Sequence, residues 1–295
     1  MKNPVWAIQM ASMVALMAFI FRAFSGEIRS GLSRDNPSWG MEVIIGGLRN
    51  GALIPMFRPY FLAMLSLIAF NYIETYLDPK ITGLVGLNFT HLVSSVEGGI
   101  VQRIQSLFPK NPIALSYFSF MYFLMLMTLL FSSPILYLYM RREDLVRMIS
   151  LGYLLTYFFA FPFYIFFPVD EVWTYSEHVP LLSDAISPML AESMRHASAI
   201  NNCFPSLHTS FSILLAFTAS LSGIRGYTIM VWVSALSIIF STIYLGVHWV
   251  VDVVGGMMLG AIVISILLLD RRRFPIVGSG KSHVEEREIE RWRER

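Results

Sequence analysis

Long apolar runs constrain this chain more than any other feature. A helix needs roughly 20 predominantly apolar residues to cross the hydrocarbon core of a bilayer. Several runs reach that length, the longest at 113–140. Charge is scarce as a consequence: 14% of the 295 residues are charged, against about 25% in soluble domains. The expected fold class is therefore all-α, a polytopic transmembrane helical bundle. The net charge of +2 is too small to point to a nucleic-acid partner; the partner the apolar runs imply is the lipid bilayer.

Seven spans are expected, at 5–24, 57–77, 113–140, 147–168, 205–222, 227–247 and 249–269. The last two abut, and a single helix across both would be far longer than one crossing. A hairpin must fall near Gly246-Val247-His248. Residues 5–21 have the apolar character of a signal peptide, but no small-x-small site follows and Arg22 comes next, so a retained span is expected. The chain divides into an N-terminal span and linker (1–56), a membrane core (57–270) and a charged tail (271–295). Residues 81–108 place Ile81, Leu84, Val85, Leu92, Val96, Ile100 and Ile104 at helical spacing, interrupted by Asn88, His91, Glu97 and Arg103. That pattern predicts an amphipathic helix on the external membrane surface.

Basic residues set the orientation. RREDLVR at 141–147, Arg225, Arg271 to Arg273, and Arg29, Arg34 and Arg49 all fall on one side of a seven-span topology. By the positive-inside rule that side is the cytoplasm, which puts the N-terminus outside and the C-terminus inside.

Two short segments carry chemistry. In the first, Pro205 opens the fifth span, a position that favours proline in the first helical turn. His208 then lies in that turn, beside the hydroxyls of Ser206, Thr209 and Ser210. A helix N-terminus with unpaired N–H groups is an anion site. In the second, His248 and Asp252 stand at i, i+4 and face each other if the last helix has begun by His248. A carboxylate on one ring nitrogen fixes the tautomer and frees the other nitrogen for attack. The turn around 223–226 is short, so the fifth and sixth spans are antiparallel neighbours, and both histidines reach the same external face. A lone histidine at a span end is ordinary interfacial packing, and His91, His178, His196 and His283 are read that way.

These residues resemble the signatures of the type 2 phosphatidic acid phosphatase superfamily: K-x6-R-P, P-S-G-H and S-R-x5-H-x3-D. Pro205, Ser206 and His208 match the second, with Leu207 at the glycine position. Ser241, His248 and Asp252 match the third at the right spacing, with Thr242 at the arginine position. Both departures are similar to the inositol phosphorylceramide synthase branch, which moves a phosphoinositol head group between lipids. The resemblance implies a six-helix phosphatase-type core, with one extra N-terminal span and the external amphipathic helix added to it. It implies His248 as a nucleophile forming a phosphohistidine, Asp252 as its orienting carboxylate and His208 as the acid for the leaving alkoxide. It implies no metal and no cofactor. Ser206, Thr209 and Ser241 are candidate phosphate contacts.

The first signature is missing. Residues 168–204 hold no lysine, and Arg58-Pro59 lies elsewhere without one. Arg195 is the loop candidate to replace the cationic clamp. Cys203, the single cysteine, does not open a C-x5-R phosphatase loop, because Thr209 stands where arginine would. The expected function is a lipid head-group phosphotransferase acting on a phospholipid or lipid phosphate. The alternatives are a lipid phosphate phosphatase using water, and a seven-span transporter or receptor. A transporter needs a polar pathway at the midplane, and few charged residues, chiefly Arg58 and Glu74, fall within spans.

Overall fold

A computed structural model describes residues 5–27, 58, 60–69, 72, 76, 80, 86–108, 110–185 and 200–273. Among these residues the protein is all-α, without strands, and a single isolated bridge pairs Val169 with Asn202. The principal helices are α1 (Val5–Ala23), α2 (Tyr60–Ala69), α3 (Thr90–Glu97), α4 (Ile100–Leu107), α5 (Pro112–Tyr139), α6 (Glu143–Phe166), α7 (Leu207–Ser220), α8 (Arg225–Tyr244) and α9 (Val250–Arg273). Helices α5, α6, α8 and α9 are long and apolar enough to cross a membrane. The architecture is a membrane helical bundle.

The short helix α7 lies at its centre, packed on α8, α9 and α6. Leu214, Leu215 and Ala216 of α7 are fully buried, as are Ile149 and Tyr153 of α6 and Val263 of α9. Apolar burial alone gives helices little reason to associate in lipid, where close packing and interhelical hydrogen bonds take over. Both devices are present. Tyr227 donates to Ser133 Oγ (2.7 Å), Tyr153 to the Leu130 carbonyl (3.0 Å) and Tyr137 to Thr218 Oγ1 (3.3 Å). At Gly256 of α9 a Cβ would lie 2.5 Å from the Ser206 carbonyl oxygen and 2.8 Å from Thr209 Cβ, so only glycine allows this approach to α7.

The helix ends gather at two poles. At one, the turn 140–142 joins α5 to α6 and the turn 221–224 joins α7 to α8. Arg147 at the start of α6 pairs with Asp270 near the end of α9 (3.8 Å). Glu27, just beyond α1, accepts from Gly226 N (3.0 Å), which brings the end of α1 to the same pole. Arg141, Arg142, Arg147 and Arg225 therefore share one pole, as the sequence predicts; Arg29, Arg34 and Arg49 lie outside the described residues. Helix α7 has 14 residues and α8 has 20. They share the turn at the basic pole, so the start of α7 stops about 9 Å short of the end of α8 at 1.5 Å per residue. His208 is recessed by that amount.

The segment expected as a single amphipathic helix differs. Gly98 and Gly99 both take positive φ (59° and 80°) and divide it into α3 and α4. Both pieces pack on the bundle at the pole opposite the basic one. Gln105 of α4 donates to the Tyr244 carbonyl (3.0 Å) at the end of α8, and Glu97 of α3 reaches the start of α9. Leu92, Val96 and Leu107 remain exposed on the outer side. The apolar stripe thus serves protein packing on one side and an open surface on the other.

Candidate active site

The first motif is held as a cap. Ser206 takes extended backbone angles as the N-cap of α7, and its Oγ accepts from Thr209 N (3.4 Å). Thr209 Oγ1 also donates to Ser206 Oγ (3.2 Å). Ser210 Oγ lies 3.0 Å from the Ser206 carbonyl and 2.9 Å from that of Gly256. Tyr164 of α6 donates to the Pro205 carbonyl (3.0 Å), fixing the loop from behind. Ser206 and Thr209 are fully buried. Their hydroxyls hold α7 and its entry together.

The second motif is built from two capping arrangements back to back. Helix α8 ends at Leu245, and Gly246 follows at φ 85°. Gly246 N donates to Ile243 O (3.0 Å) and Val247 N to Thr242 O (3.1 Å), the pairing of a Schellman C-cap. Three residues later Trp249 caps α9. Asp252, in the first turn, accepts the Trp249 N–H through Oδ2 (2.9 Å), the reach-back of a capping box. The same oxygen lies 3.4 Å from His248 Nδ1. His248 therefore sits just before α9 rather than on it, because the hairpin consumes Leu245 to Trp249. The i, i+4 pairing survives because Asp252 folds back over the helix start.

The two motifs meet. Ser206 N donates to the Asp252 carbonyl (3.1 Å). The His208 and His248 rings lie 6.0 Å apart, centroid to centroid, at 61°. Asp252 is fully buried and His248 nearly so. With Nδ1 turned to the carboxylate, Nε2 is the nitrogen left for chemistry. Ser241 and Thr242, on the last turns of α8, are buried and donate to Ile238 O (2.6 Å) and Ile239 O (2.8 Å). Arg195 lies outside the described residues.

Three further side chains border this pair. Tyr122 stacks flat on His208, with centroids 4.1 Å apart and planes at 13°. Glu97 is 4% exposed; its Oε2 accepts from Val251 N (3.2 Å), and its Oε1 is buried with no partner among the described residues. Burial pushes its carboxyl up to about 7; the N–H groups at the start of α9 oppose the rise and the charge of Asp252 adds to it. Glu171 accepts from Trp173 Nε1. Burial raises its carboxyl to about 7 as well, against the Trp173 hydrogen bond and the pull of His248, with Asp252 adding to the rise. No motif spacing flags these three. Glu97 alone left a trace, as a charge interrupting an apolar periodicity, while Tyr122 lies in a Met- and Phe-rich run that reads as packing.

Cys203, His248 and Asp252 each offer a ligand atom within 4.8 Å of the others. Burial pushes the Cys203 thiol well above its ordinary range, and its Sγ donates to the Val247 carbonyl (3.5 Å). Its contacts place Cys203 in the packing between the entry to α7 and the α8–α9 hairpin.

Fold and motifs together define a membrane-embedded helical protein of the lipid phosphatase and phosphotransferase class. The sequence model of the PAP2 superfamily matches residues 89–266, more than half of the chain, and the chain belongs to that superfamily. The match starts one residue before α3, so the split amphipathic segment lies within the family's region. No curated protein and no solved structure matches the chain.

Proposed function

We propose that the chain is an integral-membrane lipid phosphotransferase that works through a phosphohistidine on His248. The observation that carries this reading is the 6.0 Å separation of the two imidazoles, with Asp252 behind only one of them. That spacing puts a nucleophile and a proton donor side by side, as action on a common phosphoryl centre requires. In the first step Nε2 of His248 attacks phosphorus and the ester P–O bond breaks. The proton of His208 passes to the departing alkoxide. In the second step an acceptor hydroxyl gives its proton to His208, its oxygen attacks phosphorus, and the N–P bond breaks. Asp252 stabilises the positive charge that the His248 ring acquires. The first turn of α7 supplies oriented N–H groups for the phosphoryl oxygens.

Leu207 and Thr242 support a lipid or polyol hydroxyl as the acceptor, in the manner of the inositol phosphorylceramide synthase branch. A cavity of about 270 Å³ opens beside Trp249, bordered by Ser94, Gln102, Tyr175, Glu177 and His178. It offers space for a hydroxylated group at the site pole, against Trp249.

The His248→Ala variant should lose at least about a thousandfold in turnover, the scale of removing a nucleophile, while its melting in detergent stays close to wild type. Full activity in that variant refutes the reading. Incubation with labelled phospholipid, with and without hydroxylated acceptors, separates the reactions. Free phosphate as the sole labelled product would make the protein a phosphatase. A labelled lipid that appears only with acceptor supports transfer.

A further inference from the structure

The middle of α5 is not α-helical. Residues Met121–Met125 form a π-helical turn between two regular stretches, Pro112–Phe120 and Leu126–Tyr139. Such a turn takes one more residue than the α-helix and rotates the side chains around it. It is costly enough that it persists mainly at functional sites. Here its second residue is Tyr122. The ring is 8% exposed and lies flat against His208 at 4.1 Å and 13°. The other near ring of His208 is His248, 6.0 Å away and tilted by 61°. His208 is thus held with one face on an aromatic ring and the nucleophile's ring close by. Neither Tyr117 nor Phe118, one turn earlier, serves in this way. Tyr117 bonds Ser237 (2.9 Å) and Phe118 packs on Phe240 and Tyr244. The π turn is what directs the next aromatic of the series to the imidazole.

We propose that Tyr122 is a positioning residue for proton transfer by His208. Its ring face fixes the imidazole plane and, through its electron-rich π cloud, favours the protonated ring that must donate to the leaving alkoxide. This rests on His208 being the leaving-group acid. No atom of Tyr122 exchanges a proton or a bond in either step.

The consequence is a dependence on the leaving group. An alkoxide needs an acid, whereas p-nitrophenolate departs without one. The kcat/KM for phosphatidic acid and for p-nitrophenyl phosphate in detergent micelles, which reports the step that expels the leaving group, should therefore respond differently to a loss at Tyr122. Tyr122→Leu is expected to lose about tenfold on phosphatidic acid, the scale of one cation–π contact in a desolvated site, and little on the aryl ester. Pentafluorophenylalanine at position 122 preserves the shape and inverts the charge of the face. It should show the same selective loss, which keeps the test decisive if Tyr122→Leu fails to fold. Tyr122→Phe keeps the face and should hold the alkyl-to-aryl ratio within about twofold of wild type.

His208→Gln is the reference. If it lowers kcat/KM for both esters equally, the reading of the site under Proposed function fails. If His208→Gln discriminates between the esters while the pentafluoro variant matches Tyr122→Phe on both, the inference about Tyr122 is overturned. An equal loss on both esters in the pentafluoro variant overturns it too, since that is what a purely structural role produces.

Discussion

Glu97 comes to the start of α9 from a different helix, and the position works against its charge. One carboxylate oxygen accepts the Val251 N–H and the other has no partner among the described residues. Burial therefore prevails over the hydrogen bonds and raises the carboxyl from an ordinary 4.5 to about 7. A group whose pKa is higher in the folded protein than in the unfolded chain favours folding below its unfolded value. That contribution fades as the pH rises through the folded value. Between pH 4.5 and about pH 7, Glu97 should progressively withdraw stability. Glu171 does the same over the same window. Glu97→Gln keeps an acceptor for Val251 and carries no charge. Its melting temperature should fall less than that of wild type between pH 5 and pH 8, by about 2–4 °C for each kcal/mol removed. Parallel melting profiles over that range would contradict the assignment. Glu97→Ala, which leaves the Val251 N–H unpaired, should be destabilised at every pH, by about 1–3 kcal/mol.

At the scale of elements, the hinge between the two motifs is the crossing of α7 and α9 at Gly256. The Ser206 carbonyl would meet a Cβ there at 2.5 Å, and a backbone atom cannot step aside as a side chain can. Gly256→Ala should force the helices apart and cost about 1–3 kcal/mol as an overpacked contact. It should also depress turnover beyond that loss of stability, because the Ser206–Asp252 backbone bond lies one turn away. A variant with normal melting and normal turnover would show that the contact has slack. The same crossing explains what was legible in the sequence. Apolar runs gave α5 to α9, because the bilayer imposes length and polarity on each helix separately. His208, His248 and Asp252 were legible because two short motifs lie at the ends of antiparallel neighbours. Tyr122 was not, since a one-residue π insertion leaves apolar periodicity almost unchanged in a helix that is apolar all round. The division of 81–108 was legible only in hindsight: the Gly98-Gly99 pair looks like tolerated helix glycine until both residues adopt positive φ.

At the scale of the whole molecule, the two poles differ in what they expose. One carries Arg141, Arg142, Arg147 and Arg225; the other carries α3, α4 and the two histidines. Positive loops stay on the cytoplasmic side because translocating them is unfavourable. The site should therefore open to the opposite side, recessed beneath the end of α8, where a lipid phosphate could enter while its chains remain in the bilayer. Sequence alone supplied this polarity, because loop charge needs no knowledge of packing; it supplied nothing about the recess, which depends on α7 being six residues shorter than α8. The orientation can be tested with thiol labelling, since the sole cysteine, Cys203, is buried. Glu143→Cys places a thiol at the basic pole and Glu177→Cys one at the site pole, both at exposed positions. In intact cells a membrane-impermeant maleimide should label the thiol at 177 at once, and the thiol at 143 only after permeabilisation. Labelling of both without permeabilisation would break the span count between α6 and the 170–180 loop, whereas the reverse order would leave the bundle intact and turn its active site to the cytoplasm.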